Sequence, residues 1–170
     1  MSRRPIMRKF HFLIAFIVVL TDRLSKLAVE HRIPLHDGIQ IIPGFFRLTH
    51  LENRGAAFGL FADSPSEWKV AILVLFSVVA LVVVSVLLWK SSHAMSTTGV
   101  GLALILGGAI GNLWDRLAAG HVTDFLLFYV GDYQWPAFNV ADSAIVIGAG
   151  LLVFEILFSK TPAHEKGLGS

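Results

Sequence analysis

Two aspartates, Asp124 and Asp142, stand at the edges of long apolar runs. A carboxylate is costly there, and an ionisable group in or beside a membrane span marks a functional position by default. When two carboxyl groups come close, repulsion raises the pKa of one and the pair can share a proton. The ionised member can deprotonate a water; the protonated member can polarise a carbonyl and later donate to a leaving amine. That is general acid–base hydrolysis of an amide without a metal or a covalent intermediate. Taken alone, the two acids allow proton or ion transport equally well.

Each polar residue near them also has a plainer reading. Asn139-Val140-Ala141-Asp142 has the spacing of a capping box, with the acid three residues after the cap and at the positive end of a helix dipole. Asp115-Arg116 reads as a structural ion pair or local network, and Asn112 and Arg116, four apart, share a helical face from which both can aim donors into one cavity. Asp22 and Lys26 have ion-pair spacing, and Glu155 reads as snorkelling or paired near a membrane face. The seven histidines, His121 among them, show no metal-ligand pattern. With no cysteine, disulfides, a thiol nucleophile and thiolate metal sites are excluded. No cofactor is implied.

The elements that must position these groups follow from composition. In 170 residues, 55% are hydrophobic and 15% charged, and the mean hydropathy is +0.69, too apolar for an ordinary soluble domain. Four segments approach bilayer length: residues 10–28, 68–89, 98–114 and 140–158. Lipid cannot satisfy backbone polar groups, so they should be helices, and the expectation is one polytopic domain over residues 1–170. Arg3, Arg4, Arg8 and Lys9 before an apolar run also resemble a secretory signal, but no small-residue cleavage site follows and the run ends in Thr21-Asp22-Arg23. Residues 1–9, 90–98 and 159–170 carry seven Lys/Arg in 30 positions, against seven in 74 for residues 21–69 and 115–139. The denser set marks the cytoplasm, placing both termini inside. The basic pI of about 9.2 reflects that bias and calls for no nucleic acid.

With that topology the third segment, starting near Gly99, reaches Asp115 roughly 24 Å on, close to the outer boundary of the hydrocarbon. Gly120 can end it, and Asp124 follows. The fourth segment enters from the same side, with Asn139 as cap and Asp142 in its first turn. Both aspartates thus lie at one depth. Between the first two spans, residues 29–67 form the longest outer piece, where Ile39–Ile42 and Phe45–His50 read as two short strands around Pro43-Gly44. Its six acids and six bases within residues 21–69 cancel, while Phe45, Phe46, Phe58, Leu60 and Phe61 suit a lipid interface and Tyr129, Tyr133 and Trp135 an aromatic belt. Gly99, Ala103, Gly107 and Gly111 form a small-residue row that lets helices approach closely.

Four motifs occur in order: Asp22-x-x-Ser25-Lys26; Asn53-x-Gly55-Ala56-Ala57-Phe58; Gly107-Gly108-Ala109-x-Gly111-Asn112-x-x-Asp115-Arg116-x-x-x-Gly120-x-Val122-x-Asp124; and Phe138-Asn139-x-Ala141-Asp142. Together they resemble lipoprotein signal peptidase (signal peptidase II), over residues 22–145. The resemblance implies an all-α bacterial membrane aspartyl endopeptidase with four spans, a small extracytoplasmic β-cradle and a short surface helix, for which Ala56–Phe61 is the candidate. It implies a diacylglyceryl-modified prolipoprotein substrate cut just before the lipidated cysteine. The site would lie near the outer face of the inner membrane in a monomer, with membrane lipids around it and globomycin as inhibitor. By motif position Asp124 and Asp142 would be the catalytic dyad. Asn53, Gly55, Asn112, Arg116 and Asn139 would line or support the site, and Asp22, Lys26 and Asp115 would be structural. The rivals are a proton-coupled transporter, which predicts acids at mid-membrane and a repeat, and a non-catalytic scaffold, which leaves Asn, Asp and Arg at one depth without a purpose.

Overall fold

In the computed structural model, residues 4–55, 67–91 and 96–158 are described. They form four helices, α1 (Arg4–Arg32), α2 (Glu67–Ser91), α3 (Thr97–Ala119) and α4 (Val140–Phe158), and one antiparallel sheet. The strands are β1 (Gly38–Ile42), β2 (Phe46–Asn53), β3 (Val122–Val130) and β4 (Tyr133–Gln134), in that spatial order. The surface helix expected at Ala56–Phe61 lies outside the described residues, as do Phe58, Leu60 and Phe61.

Among the described residues three helices are long and apolar enough to cross a membrane: Ala71–Lys90, Thr97–Ala119 and Val140–Phe158. In α1 the apolar run is cut by Asp22, Arg23 and Lys26, and the helix continues through them to Arg32, four residues past the expected end. The reason is burial: Asp22 and Lys26 lie inside the bundle, paired, while Phe12, Phe16, Ile17, Leu20 and Leu24 cover the outside of the same helix. Polar groups sit within and apolar ones without, as a low-dielectric surround requires.

The central helix is α3, which packs on α1, α2 and α4. Ser96 caps its start, its side chain accepting from the Gly99 N–H at 3.0 Å, and Gly120 ends it in the left-handed region (φ 74°) with its N–H on the Arg116 carbonyl. The helix thus runs to Ala119 and not to Trp114, because the amphipathic turn holding Asp115 and Arg116 still has buried partners to meet. The Gly99–Gly111 row faces α1: a Cβ at Gly107 would strike the Ala15 carbonyl and Val18. A second row, Gly101 and Gly108, faces α4 at Gly148 and Ala141. Two interfaces on one helix explain its glycine content. An apolar core of Ala15, Val84, Leu88, Leu102 and Leu106 fills the bundle away from the sheet.

The sheet draws on more of the chain than residues 29–67. Residues 122–130, read from sequence as part of an outer loop, form its longest strand. Their alternation is weak because Val122, Thr123, Asp124 and Phe125 are all buried, leaving no wet face to alternate with. Phe125 packs with Val29 and Ile33 at the end of α1, and Thr123 Oγ1 donates to Glu30 at 2.7 Å. These contacts tie β3 to the helical bundle.

Candidate active site

Asp124 lies on β3 and Asp142 in the first turn of α4, and the intervening chain folds back to bring them together. Phe138 bridges to Leu126, exchanging N–H and carbonyl bonds of 2.8 and 3.1 Å, and its ring stacks on Phe128, which stacks on Phe46. That clamp fixes the entry of α4 against β3, so the next residue, Asn139, lands beside Asp124. Asn139 is fully buried. Its Oδ1 accepts the Asp142 backbone N–H at 2.9 Å while Asp142 Oδ2 accepts the Asn139 N–H at 3.4 Å, a reciprocal cap. An N–H can only donate, so Asn139 must present its amide NH2 on the other side, where it donates to Asp124 Oδ1 at 2.7 Å. One asparagine caps the helix and joins both aspartates.

A bulge in β2 supplies the second partner of Asp124. Leu48 pairs with Leu126 and Leu51 with Asp124, so β2 carries one residue more than β3 over that interval. Asn53 therefore falls opposite Val122, diagonal to Asp124 on the same face. Without the extra residue Glu52 would take that place and Asn53 would point to the other side. Asn53 Nδ2 donates to Asp124 Oδ2 at 2.9 Å, and its Oδ1 is held by the Gly55 N–H at 2.8 Å.

The other side of the site comes from α3. Asn112 Nδ2 donates to Asp142 Oδ1 at 2.7 Å. Arg116, one turn on, donates to the Asn112 carbonyl at 3.2 Å and to the Gly55 carbonyl at 3.3 Å, stitching α3 to the end of β2. Asp115 turns away from Arg116, to Lys26 at 2.6 Å and Arg23 at 3.4 Å. Behind the site, Lys26 Nζ also contacts Asp22 Oδ2 at 2.7 Å and Asn112 Oδ1 at 3.2 Å. Asp22 in turn accepts the Ala141 N–H at 2.9 Å, holding the first turn of α4 from below. Sequence reasoning noticed the Asp22–Lys26 spacing but not that these residues reach α3 and α4; the Thr123–Glu30 link was missed and left no signal.

The ten residues singled out from sequence thus form one connected network. Asp124 is 3% exposed and its carboxyl is pushed up to about 7, first by burial and then by the charge of Asp142, against the pull of the Asn53 and Asn139 donors. A carboxyl that holds its proton near neutrality beside a half-exposed second carboxylate can act as acid to the other's base.

Known proteins resemble this chain over most of its length. The family model for signal peptidase (SPase) II matches residues 14–158. The chain is 45% identical over 150 residues to the lipoprotein signal peptidase of Solibacter usitatus, covering 88% of this chain and 92% of that protein. To that of Desulforapulum autotrophicum it is 47% identical over 154 residues, covering 88% and 93%. Two solved bacterial membrane enzyme structures superpose at TM-scores of 0.81 and 0.76, each at 28% identity, covering 95% and 89% of this chain and 95% of each structure. A match over most of the chain, at this identity, shows that it belongs to the signal peptidase II family of proteases.

Proposed function

We propose that this protein is a membrane aspartyl endopeptidase that removes the signal peptide from diacylglyceryl-modified prolipoproteins, cutting just before the lipidated cysteine. The observation that carries the reading is the Asn139 amide shared by Asp142 and Asp124, which holds two carboxyl groups in one buried polar network. Asp142 is the base and Asp124 the acid. Asp142 takes a proton from a water, which attacks the scissile carbonyl, while Asp124 donates a hydrogen bond to that carbonyl's oxygen. The tetrahedral intermediate then collapses as the leaving amine takes a proton from the pair. Asn53, Asn112 and Asn139 hold the carboxyl groups in place, and Arg116 with the Gly55 backbone lines the site.

The chain is a single polytopic domain in this reading, with α1 as a fourth span and both termini cytoplasmic. The charged part of α1 is compatible with that, since its Asp22 and Lys26 are paired inside and its outer face is apolar. The sheet then lies on the extracytoplasmic side of the bacterial inner membrane. A substrate anchored by diacylglycerol reaches the site laterally from the bilayer as a complex with a monomeric enzyme, and globomycin competes for the same place.

The test is cleavage of a diacylglyceryl-modified prolipoprotein by purified protein, with and without globomycin. Wild type should cut before the cysteine and be blocked by globomycin. Asp124→Asn and Asp142→Asn should each fold and show no cleavage. Robust processing by either variant would remove the dyad from the mechanism.

A further inference from the structure

Each asparagine in the network has its oxygen tied down, but not by the same kind of donor. In Asn53 and Asn139 the tie is a backbone N–H, from Gly55 and Asp142. In Asn112 the ties are side chains, Lys26 Nζ from another helix at 3.2 Å and, more weakly, the Asn139 amide at 3.4 Å. An ammonium has three protons and no acceptor, so the atom facing it must be the amide oxygen. The Asn112 NH2 is thereby turned to Asp142 Oδ1 at 2.7 Å. Were the amide to flip, its NH2 would meet the ammonium, donor to donor, and its oxygen would meet the carboxylate, acceptor to acceptor.

We propose that Lys26 is a positioning residue for the reaction, locking the Asn112 side chain so that Asp142 Oδ1 always receives an N–H donor and keeps one orientation. The inference rests on the dyad reading above. Lys26 is suited to the task because it is itself fixed. It is 0% exposed, its stem is buried in the bundle, and its ammonium donates to Asp22 Oδ2 at 2.7 Å and Asn112 Oδ1 at 3.2 Å while forming an ion pair with Asp115 at 2.6 Å. Asp22 carries the same restraint to the far side of the dyad, since its other oxygen holds the Ala141 N–H, one residue before Asp142. One ammonium therefore constrains Asp142 by two routes: through a side chain on α3 and through the backbone of α4. With both in place, the orientation of the Asp142 carboxyl is defined by the protein and not by the substrate. A purely structural role for the ion cluster would require the charge balance but not the contact to Asn112.

The experiment separates the two. Lys26→Met alone leaves Asp22 buried without its cation and endangers folding; Lys26→Met combined with Asp22→Asn retains Asp115 beside Arg23 and restores charge balance. Folded fraction is taken from size exclusion and circular dichroism in detergent. On the folded enzyme, kcat for a diacylglyceryl-modified prolipoprotein should fall roughly 10- to 100-fold with KM unchanged, the range typical of groups that orient a reacting side chain. In an Asn112→Ala background the same pair of substitutions should cost markedly less kcat than in wild type, because the route through that amide is already gone and only the one through Asp22 and the Ala141 N–H remains. An unchanged kcat, or losses that multiply, would overturn the proposal. Asn112→Asp supplies a second route that leaves Lys26 intact. It keeps the oxygen that faces the lysine but turns an oxygen to Asp142, so kcat should collapse in a folded protein, and full activity would refute the lock. Failure of the dyad reading has a different signature, cleavage by Asp142→Asn, and is read from that variant independently.

Discussion

The elevated pKa of Asp124 makes a quantitative prediction about stability as well as activity. An ordinary aspartate titrates at 3.8, and in the folded protein Asp124 does so at about 7. The folded state therefore holds a proton between those values that the unfolded chain has lost, and stability falls as pH rises through that window. The penalty is absent below about 3.8 and fully present above about 7. At ~1.4 kcal/mol per pH unit it comes to about 4 kcal/mol. Solvent does not screen it away, since the side chain is 3% exposed. Asp124→Asn removes this titration. The variant loses an acceptor, because its new NH2 must face the Asn53 or the Asn139 amide, at a cost of about 1–3 kcal/mol that does not depend on pH. The difference between the two proteins should thus shift by about 4 kcal/mol in favour of the variant between pH 4 and pH 8, roughly 10 °C in melting temperature for a chain of this size. Tryptophan fluorescence melts in detergent micelles across that range read it directly. With Asp124 as the acid, wild-type kcat/KM should also decline as pH passes about 7. Parallel melting curves, with no change in the difference over that range, would refute the reasoning. A shift of opposite sign would mean that the two asparagine donors outweigh burial and hold the carboxyl below its ordinary value.

Two other perturbations follow from the packing. Gly111→Ala would place a Cβ 2.6 Å from Asp22 Oδ2, an atom that cannot retreat because Lys26 holds it, so melts should show about 1–3 kcal/mol lost together with activity. Gly150→Ala, whose Cβ would meet nothing within 4 Å, is the control and should be neutral or slightly stabilising. Arg116→Ala unties α3 from the Gly55 carbonyl and removes a cation that interacts with the charges of Asp142 and Asp124, and kcat/KM should drop roughly 10- to 100-fold in a folded protein. Arg116→Lys should recover little of that, since one ammonium does not reproduce a fork that spans two carbonyls. Wild-type kinetics in the alanine variant would show that Arg116 is dispensable.

What could be read from sequence was set by local rules. Hydrophobic runs of bilayer length marked the helices, and Pro43-Gly44 between two β-rich pieces marked the first hairpin. The Asn139-x-x-Asp142 spacing announced a cap, and the four motifs named the polar residues that the fold collects. Spacing alone left Asp142 between capping and acid–base work, and the geometry joins the two: the cap is what aims the Asn139 amide at Asp124.

Tertiary structure decided the rest, for reasons no local pattern records. Residues 122–130 read as loop because a strand buried on both faces shows no alternation. The bulge at Leu48–Leu51, which turns Asn53 toward Asp124, depends on pairing between strands about 70 residues apart. Asp115 and Arg116, adjacent in the chain, diverge because successive helical residues lie about 100° apart and face different neighbours. By itself, then, the sequence determined which segments are apolar and long enough to be helices and which polar residues stand at their ends, since both are properties of contiguous chain. Only the folded protein decided which oxygen faces which donor, because a hydrogen bond's direction is set by the partner across the site and not by the residue beside it.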